Sequence, residues 1–352
     1  MPLDIAVIQR FLPPASRGGA GHFAVGLCTA LSRRGHRVTI FSQDPKPAGA
    51  PFDVVQLPGK SARTAPLTFP IQIARVDFSR FDVIHAQGDE QLARHRGKPV
   101  VRTMHGSSLD EAVANGVRGL SPKHLLLHGW FYSGELAAAL RADAVVAVSR
   151  AGGRHLPRRI DVIPNGIDVE AFAPGGTAKS AVPSILFVGE LDSRKRGRKL
   201  VADFQARVRP RIPNAELWLV SPDRAGGPGV VNLGTLDDAA LRDAYRRAWV
   251  LCLPSTYEGF GRPYVEAMAA GTSVVASPNP GARDVLDGGR YGVIATDDEL
   301  GDRLAELLLD EPRRRALEAA GLARAREYDW RIVAEAYERV YARVLKERGG
   351  GA

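Results

Sequence analysis

Cysteine is almost missing: Cys28 and Cys252 are the only two in 352 residues. Both lie in apolar stretches without CxxC spacing or Cys/His clustering, which excludes a disulfide framework and a zinc centre and leaves reduced core thiols. No apolar run approaches the ~20 residues of a membrane span. No basic-then-apolar leader opens the chain, because Asp4 and Arg10 come early, so a cytoplasmic protein is expected. No two aspartates stand two apart, and no His/Asp/Glu group has metal-ligand spacing, so no metal site is expected. Repeats and low-complexity tracts are also missing, apart from a terminal GGGA.

What is present is enough chain for two ordinary domains. The net charge of +9 sits in the first half: residues 1–165 hold 21 basic and 12 acidic side chains, and residues 166–352 hold 27 of each. That excess suits a surface for anionic lipid or a phosphate-bearing acceptor. No cluster of four basic residues occurs in that half, so the plainer reading is arginine spread thinly over a solvated face. Aromatic-basic interleaving and helix-turn-helix signatures are lacking, which argues against nucleic acid.

Strand-like and helical runs alternate throughout. LDIAVIQ (3–9), RVTIFS (37–42), DVVQL (53–57), DVIHAQ (82–87), PVVRTMH (99–105) and AVVAVS (144–149) are short and apolar, as parallel strands covered on both faces are. GAGHFAVGLCTALSRRG (19–35) has helical period and a glycine stop. After the turn-rich segment 162–183 the pattern restarts with SILFVGE (184–190), AELWLVS (215–221), VVNLGTL (230–236) and VLCLPS (250–255). This is β-α-β arithmetic, and an α/β protein of two Rossmann-like, doubly wound domains facing across a cleft is expected. The boundaries are 1–165 for the first and 166–329 for the second, with the amphipathic helix 330–347 packing back on the first.

The stretch PSTYEGFGRPYVEAMAAGT (254–272) runs from a strand end into a helix. Pro263 suits the first helical position, where a missing N–H costs nothing. The amides of Tyr264, Val265 and Glu266 would then be open donors at a helix N-terminus, a setting that attracts phosphate. Gly259 and Gly261 permit a sharp turn and close approach to a ligand. Glu266 suits ribose hydroxyls, and Glu258 a sugar. Either acid alone reads as a helix-end or solvated carboxylate; the spacing and the glycines favour function.

EGFGRPYVEAMAAGTSVVAS resembles the E-x7-E motif of retaining GT-B glycosyltransferases, family 4. Further matches follow in the family's order: RGG (17–19), TMHG (103–106), VSR (148–150), VIPNGID (162–168), PNPGARDVLDGGRYG (278–292) and the terminal YDW helix. The resemblance implies a nucleotide-diphosphate sugar as co-substrate and no other cofactor. By position it gives Glu266 to the donor ribose and Glu258 to the donor sugar, with the Gly259, Phe260 and Gly261 amides on sugar hydroxyls. It gives Lys195 to the diphosphate, Gly18 and Gly19 to the same phosphates, the amides around Gly234 to the base, and His105 to the reaction centre. One position departs: the family's arginine after the glycine is Glu190 here, which cannot replace a guanidinium. Arg194 is the candidate substitute, while Arg196, Arg198 and Lys199 read as a solvated helix start.

The implied chemistry is retaining transfer without a metal to a saccharide, lipid-linked or small-molecule acceptor. Fixed cations would stabilise the leaving diphosphate, which itself takes the acceptor proton. His105 would position sugar and stabilise charge, whereas His85, a lone strand histidine, reads as structural. A lipid acceptor leaves room for peripheral contact at the inner membrane face. Two alternatives are a nucleotide-sugar epimerase, against which the E-x7-E turn argues, and a non-catalytic basic protein binding membrane or nucleic acid.

Overall fold

The structure is a computed structural model of the full chain; it describes all residues except 14–18, 60–64, 96, 107–121 and 350–352. The chain forms two compact units, Met1–Gly166 with Trp330–Ala352, and Ile167–Asp329.

Among the described residues, the first unit holds seven parallel strands: β1 (Asp4–Ile8), β2 (Arg37–Ser42), β3 (Asp53–Gln56), β4 (Val83–Ala86), β5 (Val100–Met104), β6 (Ala144–Ala147) and β7 (Asp161–Val162). Their spatial order is β3-β2-β1-β4-β5-β6-β7. Side chains alternate along β1: Ile5 and Val7 pack with one core, Ala6 and Ile8 with the other. That double burial explains why the strands read as continuous apolar runs. Helix Gly19–Arg33 covers one face together with helix Trp330–Gly349, which inserts Val333, Ala334, Tyr337, Tyr341 and Val344.

The second unit holds six parallel strands: β8 (Ser184–Val188), β9 (Glu216–Val220), β10 (Val230–Asn232), β11 (Val250–Leu253), β12 (Ser273–Ala276) and β13 (Val293–Ile294). Their order is β10-β9-β8-β11-β12-β13. The strand order therefore reverses between β8 and β11 here, and between β1 and β4 in the first unit. In open parallel sheets ligands bind beyond the carboxyl ends of the strands at such points.

Among the described residues no helix is long and apolar enough to cross a membrane. Cys28 and Cys252 are buried free thiols, held protonated by burial.

Candidate functional site

The loops after β8 and β11 flank the reversal point of the second sheet and are tied to each other. The Thr256 amide donates to the Arg194 carbonyl (3.0 Å), and Arg194 Nε donates to the Tyr257 carbonyl (3.0 Å). Arg196 completes the tie. Its guanidinium reaches the Pro254 carbonyl at 2.5 Å, Ser277 Oγ at 3.1 Å and both oxygens of Asp297 at 2.6 and 2.8 Å. Arg196 is therefore not part of a solvated helix start, as the sequence suggested, but an internal clamp in left-handed backbone (φ 53°). Arg198 and Lys199 pair locally with Asp192 and Asp203.

Lys195 sits inside this tie. Its stem lies over Gly189, whose φ is +147° and where a Cβ would come within 2.3 Å of Lys195 Cδ. The six-residue spacing thus reflects contact: only a glycine leaves room for the lysine to turn back over the strand end. Nζ donates to the Val188 carbonyl at 2.8 Å. Burial lowers the ammonium pKa; Glu258, Glu266 and Glu190 oppose that shift, and neighbouring Arg194 adds to it.

The two glutamates are buried, 5% and 7% exposed. Glu258 accepts from Ser255 Oγ (3.0 Å) and from Arg194 Nη2 (3.3 Å). Arg194, the candidate substitute for the missing phosphate-binding arginine, thus engages Glu258 through Nη2 and a backbone carbonyl through Nε. Glu266 accepts from Tyr245 Oη at 2.9 Å on one oxygen and from Arg262 on the other, at 3.0 and 2.9 Å. Glu266 Oε2 and each oxygen of Glu258 keep a second lone pair for a ligand hydroxyl, whereas Glu266 Oε1 is filled by the two Arg262 contacts.

Helix Arg262–Ala269 begins at Gly261, which is left-handed (φ 87°, ψ 54°) and offers no side-chain cap. A Cβ there would meet the Tyr264 ring at 2.3 Å, so the turn requires glycine. Arg262, not Pro263, is the first helical residue. The Tyr264 amide is not open: it donates to the Gly261 carbonyl at 2.9 Å. Glu266 is the first residue whose amide has an in-helix carbonyl four back, that of Arg262. The set of three open amides expected from sequence is therefore smaller, because the tight turn brings the Tyr264 amide onto the Gly261 carbonyl. Tyr264 and Val265 point inward and are fully buried, and the Tyr264 hydroxyl accepts from Asn279 at 3.1 Å.

The turn is supported from beneath. Asn279 Nδ2 donates to the Ser255 and Ser277 carbonyls, while its Oδ1 caps helix Pro280–Val285 through the Ala282 amide at 2.9 Å. Gly281 donates to the Glu258 carbonyl, and a Cβ on it would lie 2.5 Å from the Phe260 carbonyl oxygen. Phe260 is buried against Tyr328, ring centroids 5.6 Å apart. Gly234 follows β10 with φ +70°, and a Cβ there would meet nothing within 4 Å. Tyr245, Ser255 and Asn279 were not singled out from the sequence. Asn-Pro-Gly carries the cap signature that could have marked Asn279; Tyr245 leaves no local signal.

In the first unit, Gly18 lies outside the described residues, and Gly19 is the exposed first residue of its helix. His105 follows β5. Its Nε2 contacts Gln87 Oε1 at 3.1 Å, its ring meets Phe23 edge-on at 4.8 Å, and its Nδ1 is buried without a partner. Burial, then the charge of Arg102, pushes its pKa down to about 4, so the ring is neutral near pH 7. His85 is a core group: it bridges Thr103 and Tyr341, both at 2.8 Å, and stacks on Tyr337. Its pKa is pushed down to about 3 by burial, with His105 adding to the shift. Among the described residues no group of three His, Cys, Asp or Glu side chains is arranged to hold a metal ion.

Two parallel doubly wound sheets, the second with a lysine and two acids at its reversal point, define a GT-B architecture. Residues 17–171 match the model of Glycosyltransferase Family 4, and residues 182–310 match that of Glycosyl transferases group 1. The chain is 31% identical to phosphatidyl-myo-inositol mannosyltransferase of Mycobacterium tuberculosis over 383 positions, covering 95% of each protein. In fold it resembles sucrose-phosphate synthase of Thermosynechococcus elongatus (TM-score 0.82, 22% identity, 98% of this chain and 100% of that one). It also resembles Anabaena HepE in complex with UDP and glucose (TM-score 0.72, 17% identity, 97% and 99%). The chain belongs to glycosyltransferase family 4, and it is a glycosyltransferase.

Proposed function

We propose that this enzyme moves a sugar from a nucleotide-diphosphate donor to an acceptor hydroxyl, with retention at the anomeric carbon and without a metal. The observation that carries the reading is Lys195, Glu258 and Glu266 gathered where the second sheet reverses its strand order. Lys195 supplies the cation for the diphosphate, in a dehydrated position where a fixed charge acts most strongly on a leaving group. The uncapped turn at Gly261 adds the positive end of helix Arg262–Ala269. Glu266, held from both sides by Tyr245 and Arg262, takes a ribose hydroxyl on the remaining lone pair of Oε2. Glu258 and the Gly259–Gly261 backbone face the sugar.

Metal independence is supported by Lys195 with the positive helix end and by a sequence in which no two aspartates stand two apart. Retention is supported by the match to the group of transferases that carry E-x7-E. The relative acting on phosphatidyl-myo-inositol makes an inositol-bearing lipid the first acceptor to assay.

The test is to incubate the enzyme with UDP-, GDP-, dTDP- and ADP-sugars and acceptor, with and without EDTA, and to read the anomeric configuration of the product by NMR. Retained configuration with unchanged rate in EDTA is expected. An inverted product overturns retention, and loss of rate in EDTA restored by Mg2+ overturns metal independence. An epimer formed from donor alone would favour the epimerase reading instead.

A further inference from the structure

The pairing of His105 with Gln87 carries more than the sequence motif assigned. Gln87 follows β4 and His105 follows β5, neighbouring strands of the first sheet, so the two side chains meet beyond the carboxyl end of that sheet. Gln87 is fixed by its own backbone, whose amide donates to the Ile8 carbonyl at 3.1 Å. The His105 ring is fixed by the edge contact with Phe23, which in turn rests on Trp330 and Tyr337 at 5.6 and 5.9 Å. One ring nitrogen meets the Gln87 carbonyl oxygen at 3.1 Å; the other, Nδ1, is buried with no partner, as is Gln87 Nε2. Buried polar atoms without partners are uncommon, and two in one contact pair point to groups that a ligand completes.

We propose that Gln87 is a positioning residue for glycosyl transfer: its carbonyl oxygen holds the proton on His105 Nε2, so that the Nδ1 lone pair faces substrate as a hydrogen-bond acceptor. A neutral imidazole has one donor and one acceptor nitrogen, and the partner of one decides the role of the other. With Nε2–H donating to Gln87, Nδ1 accepts from a hydroxyl, and the Gln87 amide group offers a donor close by. The ligand class is therefore the hydroxyls of the sugar or of its acceptor, not an anion. The inference rests on the glycosyl-transfer reading for its purpose, but its physical content is a proton position that exists without substrate.

The experiment uses the full chain with 15N-labelled histidine. Two-bond 1H–15N correlations report the tautomer of each ring, and the His105→Asn variant assigns the signals. The expected result is His105 as Nε2–H in the native enzyme. Gln87→Met, which keeps the shape and removes the amide, should mix the tautomers and lower kcat by tenfold or more with little change in donor KM. Gln87→Glu, which keeps an acceptor oxygen, should restore the Nε2–H signal and much of kcat, and it serves as well if Gln87→Met fails to fold. A native Nδ1–H signal would overturn the proposal, because the amide would then be donating to the ring. So would a Gln87→Met enzyme with unaltered tautomer and unaltered kcat. The spectra need no donor sugar, so they decide the role of Gln87 even where the transfer assay returns no product.

Discussion

At the residue scale, the buried acids and the lysine between their loops form one electrostatic unit. A lysine whose pKa is lowered by burial loses its charge earlier as pH rises, and the proposed diphosphate contact of Lys195 requires the charged form. Nucleotide-diphosphate affinity should therefore fall on the alkaline side at a lower pH than free lysine would give. Lys195→Ala should remove this dependence and cost about 10²-fold or more in kcat/KM. Titration calorimetry with UDP and GDP between pH 7 and 10 reads the first, and steady-state kinetics the second. Tyr245→Phe keeps the ring but withdraws a hydroxyl from a buried carboxylate. Hydrogen bonds to charged groups are worth about 1.5–3 kcal/mol, so a lower urea midpoint and weaker donor binding are expected; an unchanged midpoint would show that Tyr245 does not support Glu266. Glu258, Glu266 and Lys195 were legible because they stand in a motif. Their partners were not, because Tyr245 lies 21 residues before Glu266 and meets it only through the packing of two helices.

At the scale of elements, the turn over residues 258–261 depends on glycines chosen by contact. Gly281→Ala would press a methyl against the Phe260 carbonyl, a backbone atom that cannot step aside. Overpacking of this kind costs about 1–3 kcal/mol. Donor affinity should fall more than global stability, since the turn moves first. Gly129→Ala, in a helix with nothing within 4 Å of the added carbon, is the control and should be neutral or stabilising. Thermal shifts of both variants with and without UDP separate the two effects. The β-α-β succession was readable because parallel strands buried on both faces give unbroken Val/Ile runs. Strand ends were less so: VVNLGTL reads as one strand through 236, yet β10 stops at Asn232, whose side chain turns back to Ala225. Helix Gly197–Asp203 likewise passes into π winding over Phe204–Val208, where Phe204 and Val208 are buried.

For the whole molecule, the buried histidines set an acid limit. His85 and His105 have pKa values lowered to about 3 and about 4, below the ordinary 6.5, so between those values the unfolded chain binds more protons than the folded one. Their contribution is complete above pH 6.5 and declines as pH falls, by up to about 1.4 kcal/mol per pH unit for each histidine. Urea midpoints at pH 7 and 4.5 should differ, and the difference should shrink in His85→Gln; an equal decline in that variant would exclude His85 as the cause. The same histidine is bonded to Tyr341, on the helix that returns from the far end of the chain. That return has a consequence for biosynthesis. The core covered by Val333, Tyr337 and Val344 waits, during translation, for residues made after all of Ile167–Asp329. The second unit is therefore the first that can mature on the ribosome, and the first must pass through synthesis with an oily flank uncovered. A nascent-chain length series probed by limited proteolysis should show protection of the later segment before the earlier one.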